Sequence, residues 1–181
     1  MSFMIRAIYA GSFDPIHFGH LNIIERSTKL FDELIIGVGE DPRKKYLFTL
    51  DERIEFIEDA LSYIDKNYVN KIFIEYFSGL LIEFAKAKNA NVIIRGLREN
   101  TDFSREFQLG LTNMDIDNNI ETIFLLATPE HLFISSSMLK EITMYGGDIS
   151  KYVTKKVETA LKEKFKKYKN KEKIPKGIFE D

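Results

Sequence analysis

Short apolar runs alternate along this chain with longer stretches in which apolar residues recur every three or four positions. The runs are rich in Ile, Val, Phe and Leu and predict strands at residues 5–10, 34–38, 71–76, 91–95 and 122–127. The longer stretches predict helices at residues 19–30, 79–88, 102–114 and 136–144, and another after Thr49, where Ile54, Ile57, Leu61 and Ile64 mark one face. Thr49 and Glu52 have the spacing of a capping box at its start. A last amphipathic segment places Val157, Leu161, Phe165 and Tyr168 on one side, then passes into the Lys-rich stretch 162–176. Strand followed by helix, repeated, predicts an α/β domain: a parallel sheet of about five strands with helices on both faces, over residues 1–168 with a Lys-rich tail at 169–181.

In such sheets ligands gather beyond the carboxyl ends of the strands, so polar residues just after a strand carry most weight. Three clusters lie there. In Gly11 to His20 a glycine turn follows the first strand, Ser12 offers a hydroxyl, Asp14 and Pro15 shape the loop, and Gly19 and His20 open a helix. Free N–H groups and the positive end of the helix suit a phosphate, and His20 can donate to an oxygen gaining charge. His17 and His20, three apart, also read as a simple turn cap or as a metal pair, with no HExxH motif and His131 the one other histidine. Arg95 and Arg98 flank Gly96 and Leu97 after the fourth strand; their forks match phosphate oxygens, or pair with Glu99, Asp102 or Glu106. Ser135, Ser136 and Ser137 follow the fifth strand and either cap a helix or cradle a phosphate. Lys44 and Lys45 sit in the loop after the second strand. The P-loop signature is absent, and Gly37-Val38-Gly39 lacks the third glycine of a dinucleotide fingerprint.

Composition narrows the picture. The chain has 181 residues, enough for one sizeable core, and 26 Lys plus Arg against 28 Asp plus Glu give a net charge of −2. That balance offers no general attraction to nucleic acid or to a membrane surface, so anion binding has to be local. No cysteine is present, which excludes disulfides, thiolate metal sites and cysteine nucleophiles and suits a reducing cytoplasm. No leader or membrane span is expected.

The segments YAGSFDPIHFGH, DPRKKYLFTLDER, FSGLL, IRGLR with DF, and FISSS occur in an order and spacing that resemble the bacterial phosphopantetheine adenylyltransferase family of the HxGH nucleotidyltransferase superfamily. The resemblance spans residues 4 to about 165 and implies a Rossmann-like sheet. It also implies a reaction in which ATP and 4′-phosphopantetheine give dephospho-coenzyme A and pyrophosphate, with Mg2+ accompanying ATP. Carried over by position, Ser12 contacts both substrates, Phe13 and His20 bind ATP, and His20 stabilises the transition state. Lys44, Leu81 and Arg95 match acceptor-binding positions, and Gly96, Leu97, Arg98 and Glu106 match ATP-binding positions. His131, Leu132, Phe133, Ile134, Ser135, Ser136 and Ser137 complete the ATP set, with His20, Lys44 and Arg98 as the catalytic group. No protein metal ligand is expected. The resemblance further implies a homohexamer and feedback inhibition by coenzyme A. Two positions depart from the pattern: Arg105 where many relatives carry an aromatic, and His131 where many carry Trp.

The chemistry suits these residues. A phosphate monoester is largely ionised at neutral pH, so it needs no base to become a nucleophile. The protein has to hold two anions in line and neutralise the charge that develops, by direct attack without a covalent enzyme intermediate. The alternatives are a nicotinate-mononucleotide adenylyltransferase or glycerol-phosphate cytidylyltransferase of the same superfamily, and a non-catalytic nucleotide sensor.

Overall fold

The computed structural model describes residues 4–98 and 100–171 together with Gly177 and Phe179; of residues 100–102 and 167–171 it describes the backbone. Five strands form one parallel sheet: β1 (Arg6–Gly11), β2 (Glu33–Glu40), β3 (Ile72–Ser78), β4 (Val92–Leu97) and β5 (Glu121–Leu126). Their order is β3-β2-β1-β4-β5. The helices are α1 (Phe18–Leu30), α2 (Leu50–Leu61), α3 (Lys66–Val69), α4 (Leu81–Ala87), α5 (Asn100–Ile116), α6 (Ser136–Met144) and α7 (Lys155–Lys171), with a 3₁₀ turn at Pro129–His131.

The central strands read as unbroken apolar runs because helices cover both faces. Ala7, Tyr9, Leu34, Ile36 and Ile94 point into the larger core with α1, α2, α6 and α7, whereas Ile8, Ala10, Ile35 and Ile93 pack on Ile82 and Ala85 of α4. The chain winds outward through β2 and β3, then returns past β1 to β4. This reversal leaves a crevice between the carboxyl ends of β1 and β4, where open α/β sheets bind ligands.

Each predicted strand and helix is present, and the differences lie at ends. β4 reaches Leu97 rather than Arg95, because Arg95, Gly96 and Leu97 go on pairing with Phe124, Leu125 and Leu126. α4 begins at Leu81 instead of residue 79, since Gly79 holds a φ of +88° that no helix accepts. α2 stops at Leu61, where three-residue turn bonds tighten the chain. Ile64 stays buried just beyond that turn. Thr49 and Glu52 form the capping box, with Thr49 Oγ1 accepting from Glu52 N at 3.2 Å and Glu52 Oε2 accepting from Thr49 N at 2.8 Å. α3 and the 3₁₀ turn are too short for periodicity to reveal. α7 continues through residue 168 to Lys171, and the Phe179 ring lies beside Phe165 at 6.4 Å between centroids. The Tyr168 side chain and the rest of the tail, Lys176 included, lie outside the described residues.

Candidate active site

The crevice is a cavity of about 720 Å³ whose wall includes Ser12, Phe13, His20, Lys44, Arg95, Arg98 and Ser136. Segments separated by most of the chain's length therefore meet at one sheet edge.

His17 caps α1 from an extended conformation. Its Nδ1 accepts the backbone N–H of His20 at 3.2 Å, and His20 Nδ1 accepts the backbone N–H of His17 at 3.3 Å. The two rings stack with centroids 3.7 Å apart. A capping box of two histidines commits both Nδ1 lone pairs, so each neutral ring carries its proton on Nε2. Gly19 gives the rings room: a Cβ there would lie 3.0 Å from the His17 ring and 3.5 Å from His131 Cβ. Burial, with the Arg98 charge added to it, pushes the His20 pKa down to about 3. Burial, then His20, Arg98 and His131, hold His17 well below the ordinary imidazole range. His20 is thus a neutral N–H donor at neutral pH. His17 Nε2 is buried without a hydrogen-bond partner.

The loop before α1 is fastened from two sides. Asp14 accepts from Leu47 N and Phe48 N, each at 2.9 Å, and from Lys140 Nζ at 3.3 Å. That ion pair is buried, with side-chain exposures of 2% and 5%, so its three donors satisfy a carboxylate that water cannot reach. Ser136 Oγ donates to Pro15 O at 2.8 Å. The triple serine divides its work: Ser135 Oγ caps α6 by accepting from Met138 N at 3.1 Å, and Ser136 anchors the loop. The capping reading of the sequence holds for Ser135, and Ser136 alone of the three is on the cavity wall.

On β4, Arg95 and Glu106 of α5 form a two-pronged ion pair, through Arg95 Nε to Glu106 Oε2 and through Nη2 to Oε1 at 2.7 Å. Arg95 Nη1 donates to Ala10 O at 3.3 Å. Arg98 Nη1 donates to Ile134 O at 2.7 Å, which ties the end of β4 to the turn before α6. Beneath them, burial pushes the Tyr9 phenol up to about 12, against the opposing pull of Arg95 and then Arg98. Tyr9 therefore keeps its proton beside the arginines. Glu99 and the Asp102 side chain, the other expected partners, lie outside the described residues.

Leu81, Gly96, Glu106 and His131 also line the cavity, and so does Arg105. Thr128 Oγ1 meets His131 Nδ1 at 2.7 Å. Leu97 and Ile134 are buried in the fold, and Leu132, Phe133, Ser135 and Ser137 are off the wall, with Phe133 78% exposed. Lys44 and Lys45 are exposed on the loop between β2 and α2 and border the cavity. Sequence reasoning missed the buried charges Arg53 and Lys140. For Arg53 a signal exists: it shares the buried stripe of α2 with Phe56, Ile57 and Ala60, at helical spacing.

Among the described residues no group of three or more His, Asp or Glu side chains is placed to hold a metal ion. Asp14, Glu106 and Asp41 are engaged by Lys140, Arg95 and Arg43.

A family profile described as cytidylyltransferase-like matches residues 8–142. The chain is 51% identical over 161 residues to the phosphopantetheine adenylyltransferase of Carboxydothermus hydrogenoformans, covering 89% of this chain and 96% of that one. It is 48% identical over 168 residues to the phosphopantetheine adenylyltransferase of Clostridium kluyveri, covering 92% and 99%. The fold resembles the nicotinic acid mononucleotide adenylyltransferase of Plasmodium falciparum complexed with NaAD, at a TM-score of 0.65 and 17% identity, over 93% of this chain and 97% of that one. The chain belongs to the phosphopantetheine adenylyltransferase family, within the cytidylyltransferase-like nucleotidyltransferases.

Proposed function

We propose that this protein transfers the adenylyl group of ATP to 4′-phosphopantetheine, giving dephospho-coenzyme A and pyrophosphate. The observation that carries the reading is a neutral imidazole donor, His20, on the wall of one cavity with Lys44, Arg95 and Arg98. High identity to relatives of that name supports the choice of acceptor.

The acceptor's ionised phosphate attacks the α-phosphorus of ATP in line, and the bond from that phosphorus to pyrophosphate breaks. His20 Nε2–H donates to an α-phosphate oxygen as negative charge builds there. A neutral donor suits this role, since it never has to recover a proton between turnovers. Lys44 and Arg95 bring the acceptor phosphate against a like charge, and Arg98 with the N-terminal N–H groups of α1 takes the charge of the triphosphate. Glu106 holds the Arg95 fork in a fixed plane.

Magnesium fits as a companion of the triphosphate, since Asp14 and Glu106 on the cavity wall are already paired with Lys140 and Arg95. When bound it supplies charge neutralisation on phosphate oxygens. A supply of ATP supports a cytoplasmic setting, and among the described residues no helix is long and apolar enough to cross a membrane. A homohexamer draws support from Phe103, Phe107, Leu111 and Met114, which recur on α5 with their side chains exposed. Coenzyme A, which differs from the product by one phosphate, is proposed to compete for the same cavity as feedback inhibitor. The net charge of −2 gives no general attraction to nucleic acid.

Incubation with ATP and 4′-phosphopantetheine, with products followed by mass, tests the reading. Dephospho-coenzyme A is expected, and no comparable product from nicotinate mononucleotide or from glycerol phosphate with CTP. Preference for either of those acceptors overturns it. ATP chiral at its α-phosphorus tests the direct step: inversion is expected, and retention would show a covalent intermediate.

A further inference from the structure

Arg53 is a fully buried side chain, with 0% exposure, and it takes no direct part in the chemistry above. Its Nη1 donates to Ser12 O at 2.8 Å and to Gly39 O at 3.0 Å. Its guanidinium carbon lies 4.1 Å from the centre of the Tyr46 ring, and Nη2 is 3.7 Å from Glu40 Oε1. Nε and Nη2 find no hydrogen-bond acceptor. Ser12, Gly39, Glu40 and Tyr46 all line the cavity, and Arg53 stands behind them. A guanidinium stays charged in proteins, so burying one with two of its nitrogens unsatisfied is unfavourable.

We infer that Arg53 is a positioning residue that fixes the substrate-facing backbone of β1 and the lysine loop in one frame; the inference rests on the adenylyl-transfer reading. In a trans peptide C=O and N–H point in opposite directions, so gripping Ser12 O from behind the wall turns the Phe13 N–H toward the cavity. Phe13 holds a φ of +48°, an orientation a bulky residue adopts when its surroundings impose it. The same guanidinium stacks on Tyr46, whose hydroxyl accepts from Asp41 N at 2.8 Å and so closes the loop that carries Lys44. One planar cation thus sets the distance between a backbone donor for the nucleotide and the ammonium for the acceptor. Lysine replaces it poorly, because an ammonium that donates to both carbonyls has no planar face to lay over the Tyr46 ring.

The test compares the parent with Arg53→Lys and Tyr46→Leu in steady-state assays of both substrates, with folding checked by circular dichroism and thermal unfolding. Arg53→Lys is expected to raise KM for ATP and for the acceptor by about tenfold each and to lower kcat by about 10²-fold, as small misplacement of reacting groups does. Tyr46→Leu is expected to raise the acceptor KM while leaving the ATP KM near the parent's, a split that general loosening does not produce. A folded Arg53→Lys with parental constants overturns the inference. If Arg53→Lys does not fold, Tyr46→Leu decides, and an unchanged acceptor KM overturns it. A parent without turnover refutes the functional reading instead. In that case calorimetric ATP binding decides for Arg53: weaker binding by the variant sustains the inference and equal binding ends it.

Discussion

His17 Nδ1 accepts the backbone N–H of His20, and His20 Nδ1 accepts the backbone N–H of His17. This reciprocal cap turns a helix start into a device for presenting one Nε2–H. It joins the HxGH sequence pattern to chemistry: the outer histidines orient each other, and the glycine makes room for their stacked rings.

Both histidines make stability depend on pH. The folded protein keeps His20 neutral down to about pH 3 and His17 neutral well below its ordinary value, whereas the unfolded chain protonates both near the ordinary pKa of 6.5. Their contribution is whole above that value. As pH falls below it, the unfolded state binds more protons and stability drops, by up to about 1.4 kcal/mol per pH unit for each histidine. Thermal unfolding followed from neutral pH to about pH 5 checks this. The parent's Tm should fall more steeply than that of His20→Gln, and parallel curves would refute the assignment.

Gly19→Ala should break the ring pair. Its Cβ would press on His17 Nδ1 and Cε1, both in a close-packed setting. Destabilisation of about 1–3 kcal/mol is expected, together with a loss of kcat that exceeds any loss of ATP affinity. Denaturant unfolding and steady-state kinetics measure the two effects, and a variant with parental kcat would show that the stacking is dispensable.

Much of this site was legible in the sequence, and the remainder was not for identifiable reasons. The strands were readable because central parallel strands are apolar throughout, and α6 ran over the predicted residues because Ser135 caps it. The polar clusters after β1, β4 and β5 were readable because the sheet gathers them at one edge. Arg53 and Lys140 escaped because their partners are distant in the chain: Ser12 is 41 residues from Arg53, and Asp14 is 126 residues from Lys140. Helical spacing puts Arg53 on the buried stripe of α2, but the tertiary partners that stabilise a buried charge leave no trace in local sequence. Arg95 was placed at a strand end when it lies within β4, because pairing with β5 outlasts the apolar run.

Lys44→Ala should separate binding from stability. Lys44 is exposed and its side chain has no carboxylate partner among the described residues, so its loss should change stability by less than about 0.5 kcal/mol. The acceptor KM should rise by about tenfold or more, as loss of a charge-assisted contact does. Parallel changes in Tm and KM would place Lys44 in the fold rather than in the site.

The proposed reaction turns on one neutral imidazole donor, His20, stabilising charge on the α-phosphate. The kcat of folded His20→Ala with ATP and 4′-phosphopantetheine, both saturating, tests it most directly. A fall of about 10²- to 10³-fold is predicted. A kcat close to the parent's would contradict the account.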